Sequence, residues 1–138
     1  MDKIRQFLET LWQLPQFALG WLLEWWYGHA KNVTVGEFNG IKVVYSSDME
    51  GGIALGNVIV LPHRYLRLGK ALYVKNTLAH EYGHCLQSGK LGWFYLLVIG
   101  APSLCWAWAH STFTALGEVS FYDFYTERWA DKLGGVKR

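Results

Sequence analysis

Five consecutive residues carry the most chemistry in this chain: His80-Glu81-Tyr82-Gly83-His84. On an α-helix, at about 100° per residue, the two histidines fall about 40° apart on one face, so both imidazoles can reach one metal ion. Glu81 lies about 100° from His80 and stands beside such an ion without binding it. A carboxylate there can take a proton from metal-bound water. The chain has 5 His and 7 Glu in 138 residues. Shuffling would give the HExxH spacing with a probability of about 0.01, so the match carries weight as a motif.

Catalytic zinc takes three protein ligands and keeps one position open, so HExxH alone is one ligand short. Tyr125-Thr126-Glu127-Arg128-Trp129-Ala130-Asp131 offers the third. Glu127 and Asp131 are four apart and share a helix face, so Glu127 can bind the metal. Asp131 can accept the free ring N–H of a ligand histidine and fix its tautomer. An exposed acidic pair beside Arg128 and Lys132 is the ordinary reading of these residues, and HExxH shifts the balance toward ligation. Asp123, one turn before Glu127, is the fallback ligand. Cys85 and Cys105 are too few for a disulfide scaffold and too far apart in sequence for a cysteine zinc site; both read as buried small hydrophobes.

The elements that must position these groups follow from patterning. A helix from Gly69 to Ser88, stopped by Gly89, carries HExxH on one stripe and Val74, Leu78 and Cys85 on a separate arc that can face a core. A last helix from Glu118 to Leu133 closes at Gly134-Gly135. Strands are expected at Val33–Val35, Ile41–Tyr45 and Ile53–Leu61, with Asn39-Gly40 as a hairpin turn and Gly56-Asn57 as a bulge or kink. Pro62 ends the third. At the start of the chain, Ile4, Phe7, Leu8, Leu11 and Trp12 recur at helical spacing. Pro15 opens a second helical piece that is apolar all round to Tyr27, and Gly28 stops it. Arg5, Glu9, Gln13, Pro15 and Gln16 interrupt what would be a leader's apolar core, so residues 1–28 read as a helical arm or candidate membrane anchor and not as a cleaved signal peptide. Residues 29–138 form the remainder of a single domain.

Composition narrows the classes. Apolar residues make up 51% of the chain and charged residues 17%, with a mean hydropathy of +0.07, which excludes disorder and low complexity. A net charge of +2 gives no electrostatic case for nucleic acid. Four of the eight Trp lie in the arm and three in the charge-free stretch Leu91–Gly117. Within it, Leu91–Ala109 is long enough to span roughly 28 Å as a helix. Yet His84 precedes it and Glu127 follows it, and both must lie within about 2 Å of one metal, so the segment must return or stay out of a bilayer. Gly100-Ala101-Pro102-Ser103 reads as the turn of an apolar helical hairpin, Leu91–Ile99 out and Ser103–Leu116 back. Trp93, Trp106 and Trp108 suit an interface between protein and lipid or a partner.

His80-Glu81-x-x-His84 followed by Glu127-x-x-x-Asp131 resembles the gluzincin pattern of zincin-like metallopeptidases. More narrowly, residues 50–135 are similar to small bacterial HExxH domains, some at the ends of polymorphic toxins, in which text like Ala54-Leu55-Gly56-Asn57 precedes the motif helix. The loop between the motifs is not typical of secreted proteases. The resemblance implies an α+β, zincin-like fold: a small antiparallel or mixed sheet packed on the HExxH helix and a second ligand helix, with the arm and the apolar hairpin appended. It implies one Zn2+ per chain, held by His80, His84 and Glu127, with Asp131 behind a histidine and Glu81 as general base of a zinc metalloendopeptidase. The strand holding Ala54, Leu55, Gly56 and Asn57 would pair with an extended peptide. His110, Tyr122, Tyr125 and His63 are candidates for the oxyanion donor, and the sequence does not choose among them. The expected partners are a peptide or protein substrate and, through the Trp-rich segments, a membrane surface or a second copy. The expected location is intracellular, peripheral or monotopic on a membrane. A non-catalytic metal-containing regulatory module and a toxin-like effector protease are the alternatives.

Overall fold

The computed structural model describes residues 2–69 and 71–138. The chain is α+β, with helices on both faces of a four-stranded mixed sheet. Helices α1 (Asp2–Trp12) and α2 (Leu14–Tyr27) precede strands β1 (Val33–Phe38), β2 (Ile41–Ser46), β3 (Ile53–Leu55) and β4 (Val58–Pro62). After a 3-10 turn come α3 (Leu72–Leu91), α4 (Ala101–Thr112) and α5 (Tyr125–Gly134).

The sheet order is β1-β2-β4-β3, with β2 and β4 parallel and both outer pairs antiparallel. Asn39 and Gly40 both have positive φ, 50° and 80°, the requirement of the hairpin turn that matches strand twist. β4 is buried along its whole length, and its alternation divides the core. Ile59 and Leu61 join Val43, Ala54 and Cys85 on the face toward α3. Val58 and Val60 join Val44 on the other face, under Leu23 and Tyr27 of α2. Val74 and Cys85 are buried, and Leu78 packs on the cluster toward α3, as their helical arc implied.

Five expectations change. Ile53–Leu61 is not one strand: Gly56 (φ 63°) and Asn57 form a two-residue turn between β3 and β4. The motif helix passes Gly89 and ends at Gly92, whose φ of 54° is open to glycine. The chain therefore reverses at Gly92–Tyr95 and not at Gly100–Ser103. Pro102 sits in the first turn of α4, where its missing N–H costs nothing, and a π-helical turn, Leu96–Gly100, leads into it. The two limbs, Leu72–Phe94 and Leu96–Thr112, are bent by 119°. Among the described residues, no single helix is long and apolar enough to cross a membrane. The last helix starts at Tyr125, because 3-10 turns at Thr114–Glu118 and Phe121–Asp123 occupy the positions before it. Cys105 is exposed on α4, which buries none of its residues, whereas Cys85 is buried; neither forms a disulfide.

The arm and the reversal meet. Trp12 Nε1 donates to Gly89 O (3.0 Å) and Trp93 Nε1 to Leu11 O (2.7 Å). Gln16, fully buried in α2, donates to Ser88 Oγ (3.1 Å) and Gly92 O (2.6 Å).

Candidate metal centre

Two glycines set the spacing of the helices that carry the site. A Cβ added at Gly83 in α3 would lie 1.9 Å from Ala130 O, and one at Gly134 in α5 would lie 2.0 Å from Ala79 O. The helices α3 and α5 are therefore in backbone contact, and the side chains around Gly83 meet those around Ala130.

His80, His84 and Glu127 converge there, and all three are buried. One ligand atom from each lies within 4.8 Å of the others. His80 Nε2 is 3.0 Å and His84 Nε2 3.1 Å from the same carboxylate oxygen, Glu127 Oε2. The rings stand 87° apart. The other ring nitrogens are taken. His80 Nδ1 is 2.7 Å from Asp131 Oδ1, and His84 Nδ1 is 2.7 Å from Gln87 Oε1.

The network assigns the tautomers. Asp131 is a carboxylate and can only accept, so His80 Nδ1 donates. Gln87 Nε2 donates to Thr126 O (2.8 Å), which turns its carbonyl oxygen toward His84, so His84 Nδ1 also donates. Both Nε2 atoms are left with lone pairs, and both face a carboxylate oxygen. Three acceptors thus converge on one buried point with no donor among them, an arrangement that calls for a cation. Two imidazole nitrogens and one carboxylate oxygen make a suitable donor set for a divalent metal with an open position. Without a metal, a proton fills the role. Burial works against charge on His84, but the Glu127 hydrogen bond and the nearby carboxylates raise its pKa above the ordinary value. Burial likewise opposes ionisation of Glu127, but the close His80 and His84 rings, a proton shared with them when no metal is bound, and the Ser103 hydroxyl hold its carboxyl well below the usual carboxylate range.

Glu127 Oε1 points the other way and accepts from Thr126 Oγ1 (2.9 Å) and from Ser103 Oγ of α4. Asp131 is held in turn by Arg138, through Nε to Oδ2 at 2.8 Å. The Arg138 guanidinium also lies 3.3 Å from the centre of the Tyr122 ring. Asp123 is exposed and stands outside the cluster.

The centre opens on a cleft of about 610 Å³ between β3 and α4, lined by Gly52, Ala54, Glu81, Leu104 and Tyr122 among others. Glu81 is buried, and its carboxylate has no hydrogen-bond partner among the described residues. A Cβ at Gly52 would lie 2.6 Å from Glu81 Oε1, so the bare glycine makes room for that carboxylate at the head of β3. Burial raises the Glu81 pKa, against the lowering effect of His84 and His80.

The sequence-derived candidates separate. Ala54 and Leu55 lie on β3, whose outer edge has no strand neighbour among the described residues, and line the cleft. Gly56 and Asn57 do not line it, because α2 closes over the turn: a Cβ at Gly56 would lie 2.4 Å from the Phe17 ring. Of the four oxyanion candidates only Tyr122 lines the cleft, with its ring 5.2 Å from His80. His110 is tied to Val119 O (2.8 Å), Tyr125 donates to Val98 O (2.6 Å), and His63 pairs with Thr34 Oγ1 (3.3 Å). Sequence reasoning missed Gln87, Ser103, Thr126 and Tyr95. Tyr95 lines the cleft and is only 3% exposed, and its hydroxyl has no partner among the described residues. Burial raises its pKa and keeps it a donor. Gln87, one turn after His84, had a signal in its spacing; Ser103 had none.

Comparison of the chain with protein-family models, with curated proteins and with solved structures returns no match.

Proposed function

We propose that this chain is a zinc-dependent metallopeptidase with a gluzincin ligand set, working at a membrane surface. The observation that carries the reading is the buried convergence of three acceptors beside a glutamate with no hydrogen-bond partner among the described residues, at the head of an edge strand. Zinc suits two imidazoles and a carboxylate. When bound it would polarise a peptide carbonyl and acidify water. His80, His84 and Glu127 would hold it, while Asp131 and Gln87 keep both imidazoles in the ligating tautomer. Glu81, whose burial raises its proton affinity, takes a proton from water and delivers it to the leaving amine. The outer edge of β3 pairs with an extended substrate backbone. Tyr122 and Tyr95 are the donors positioned to stabilise a developing oxyanion.

The membrane part rests on uncovered apolar faces. Ile4 and Phe7 of α1, Trp25 and Trp26 of α2, and Leu104 and Trp108 of α4 are all more than half exposed. No Asp, Glu, Lys or Arg occurs from Leu91 to Gly117. Helices of this kind lie in the plane of a bilayer interface.

Elemental analysis should find one zinc per chain in the wild type. Zinc-loaded wild type should cut a mixed peptide library, with new termini read by mass spectrometry. Glu81→Gln should keep zinc and lose cleavage by at least about 100-fold. Equal cleavage by that variant overturns the mechanism, and a zinc-loaded wild type that cuts nothing favours the regulatory module over the enzyme.

A further inference from the structure

We propose that Ser103 is a positioning residue for the metal centre: its hydroxyl holds Glu127 so that only Oε2 is presented to the ion. The inference rests on the metal-binding reading of the cluster and deepens it. The two oxygens of Glu127 have separate surroundings. Oε2 faces both imidazoles at 3.0 and 3.1 Å. Oε1 faces two hydroxyl donors, Thr126 and Ser103. A carboxylate with both oxygens free can rotate or grip a metal with both; hydrogen bonds on one oxygen remove those options.

The two donors are not equivalent. Thr126 is the chain neighbour of Glu127, so it moves with α5 and cannot fix the carboxylate against anything outside that helix. Ser103 comes from the first turn of α4, 24 residues away in sequence, and is the contact that registers Oε1 against a different element. α4 is itself anchored beside the site, because Trp106 Nε1 donates to Phe121 O at 2.8 Å. The same helix presents Leu104 and Trp108 outward, 69% and 62% exposed. The seating of an apolar surface helix is thereby linked through one hydroxyl to the geometry of a metal ligand. The charge-free segment between the two ligand helices is part of the metal site, not a spacer between its halves.

The test is zinc affinity, measured by competition with a chromophoric chelator, together with the visible absorption of the cobalt-substituted protein, which reports coordination number. Ser103→Ala should bind zinc about 10-fold more weakly, at the lower end for loss of a group that orients a ligand. Its cobalt spectrum should weaken as Glu127 turns to grip with both oxygens. Thr and Val are nearly the same shape, so Ser103→Thr should bind zinc more tightly than Ser103→Val even if both variants are less stable. Wild-type affinity and spectrum in Ser103→Ala overturn the proposal, and so does equal affinity of the Thr and Val variants, which would reduce the position to packing. Failure of the wild-type protein to bind zinc or cobalt is a different result: it overturns the metal reading itself.

Discussion

The α3–α5 interface and the outer shell of α1, α2 and α4 are built on opposite terms. At the interface, backbone touches backbone and the ligand side chains are buried, with nearly every polar atom partnered. In the shell, large apolar side chains face outward, and α1 is tied to the reversal by two indole N–H groups, from Trp12 and Trp93. Buried polar groups are costly unless satisfied, so a network closed everywhere but at the point where its acceptors converge implies that its geometry is narrowly held. An uncovered apolar shell carries no such constraint on position. Substitutions should therefore act on metal and chemistry at the first region, and on association at the second.

The sharpest way to break that contrast is Gly83→Ala. One methyl placed 1.9 Å from Ala130 O must push α3 from α5, at a cost of about 1–3 kcal/mol or more. The expected result is a lower Tm and loss of zinc from the purified protein; a zinc-replete, unshifted variant would mean that the helices are not held by contact. Next come the groups behind the imidazoles. Asp131→Ala and Gln87→Leu should each weaken zinc binding by about 10- to 100-fold, as read by chelator competition. If Gln87→Leu binds as tightly as wild type, the tautomer assignment at His84 is wrong.

pH sharpens the same point. In the metal-free protein the His84 pKa is raised, so its stabilising contribution is complete below about 6.5, the unfolded value. That contribution is lost as pH rises through the folded value. Zinc needs the neutral ring, so affinity should run the other way. It should climb by about tenfold per pH unit for one displaced proton and level off above the folded pKa. Chelator competition from pH 6 to 9 checks the slope. The smallest effects belong to the shell: Trp26→Gln and Trp108→Gln should change stability by no more than about 0.5 kcal/mol and leave zinc untouched. The pair should nevertheless reduce flotation with liposomes. A large loss of zinc in either would erase the distinction between the regions.

Much of the site was legible because it is written in helical spacing. His80, Glu81 and His84 share one helix, Glu127 and Asp131 another, and i,i+4 geometry needs no tertiary knowledge. The Asn39-Gly40 hairpin was legible for a similar local reason. What was not legible depends on register between elements. Ser103 reached Glu127 only because the chain reversed at Gly92–Tyr95, and the sequence offered a more conspicuous turn at Gly100–Ser103. Proline suits a helix start and a turn equally well, and only packing decides. The same holds at Gly56-Asn57, where a bulge and a two-residue turn share one signature until β3 and β4 are seen to pair. Cys105 looked like a core residue because free cysteine is among the most buried residue types, and residue type alone does not show which face of α4 it occupies.

The length of β3 has a consequence for how any substrate is retained. Three residues extend about 10 Å, enough for only a few backbone hydrogen bonds to an incoming chain. A ladder that short confers weak grip and brief residence. Under the proposed reading, the enzyme's selectivity then depends less on which peptide fits the strand than on which peptide is held nearby long enough to meet it. Confinement of both molecules to one surface would raise their effective concentration without a single added contact.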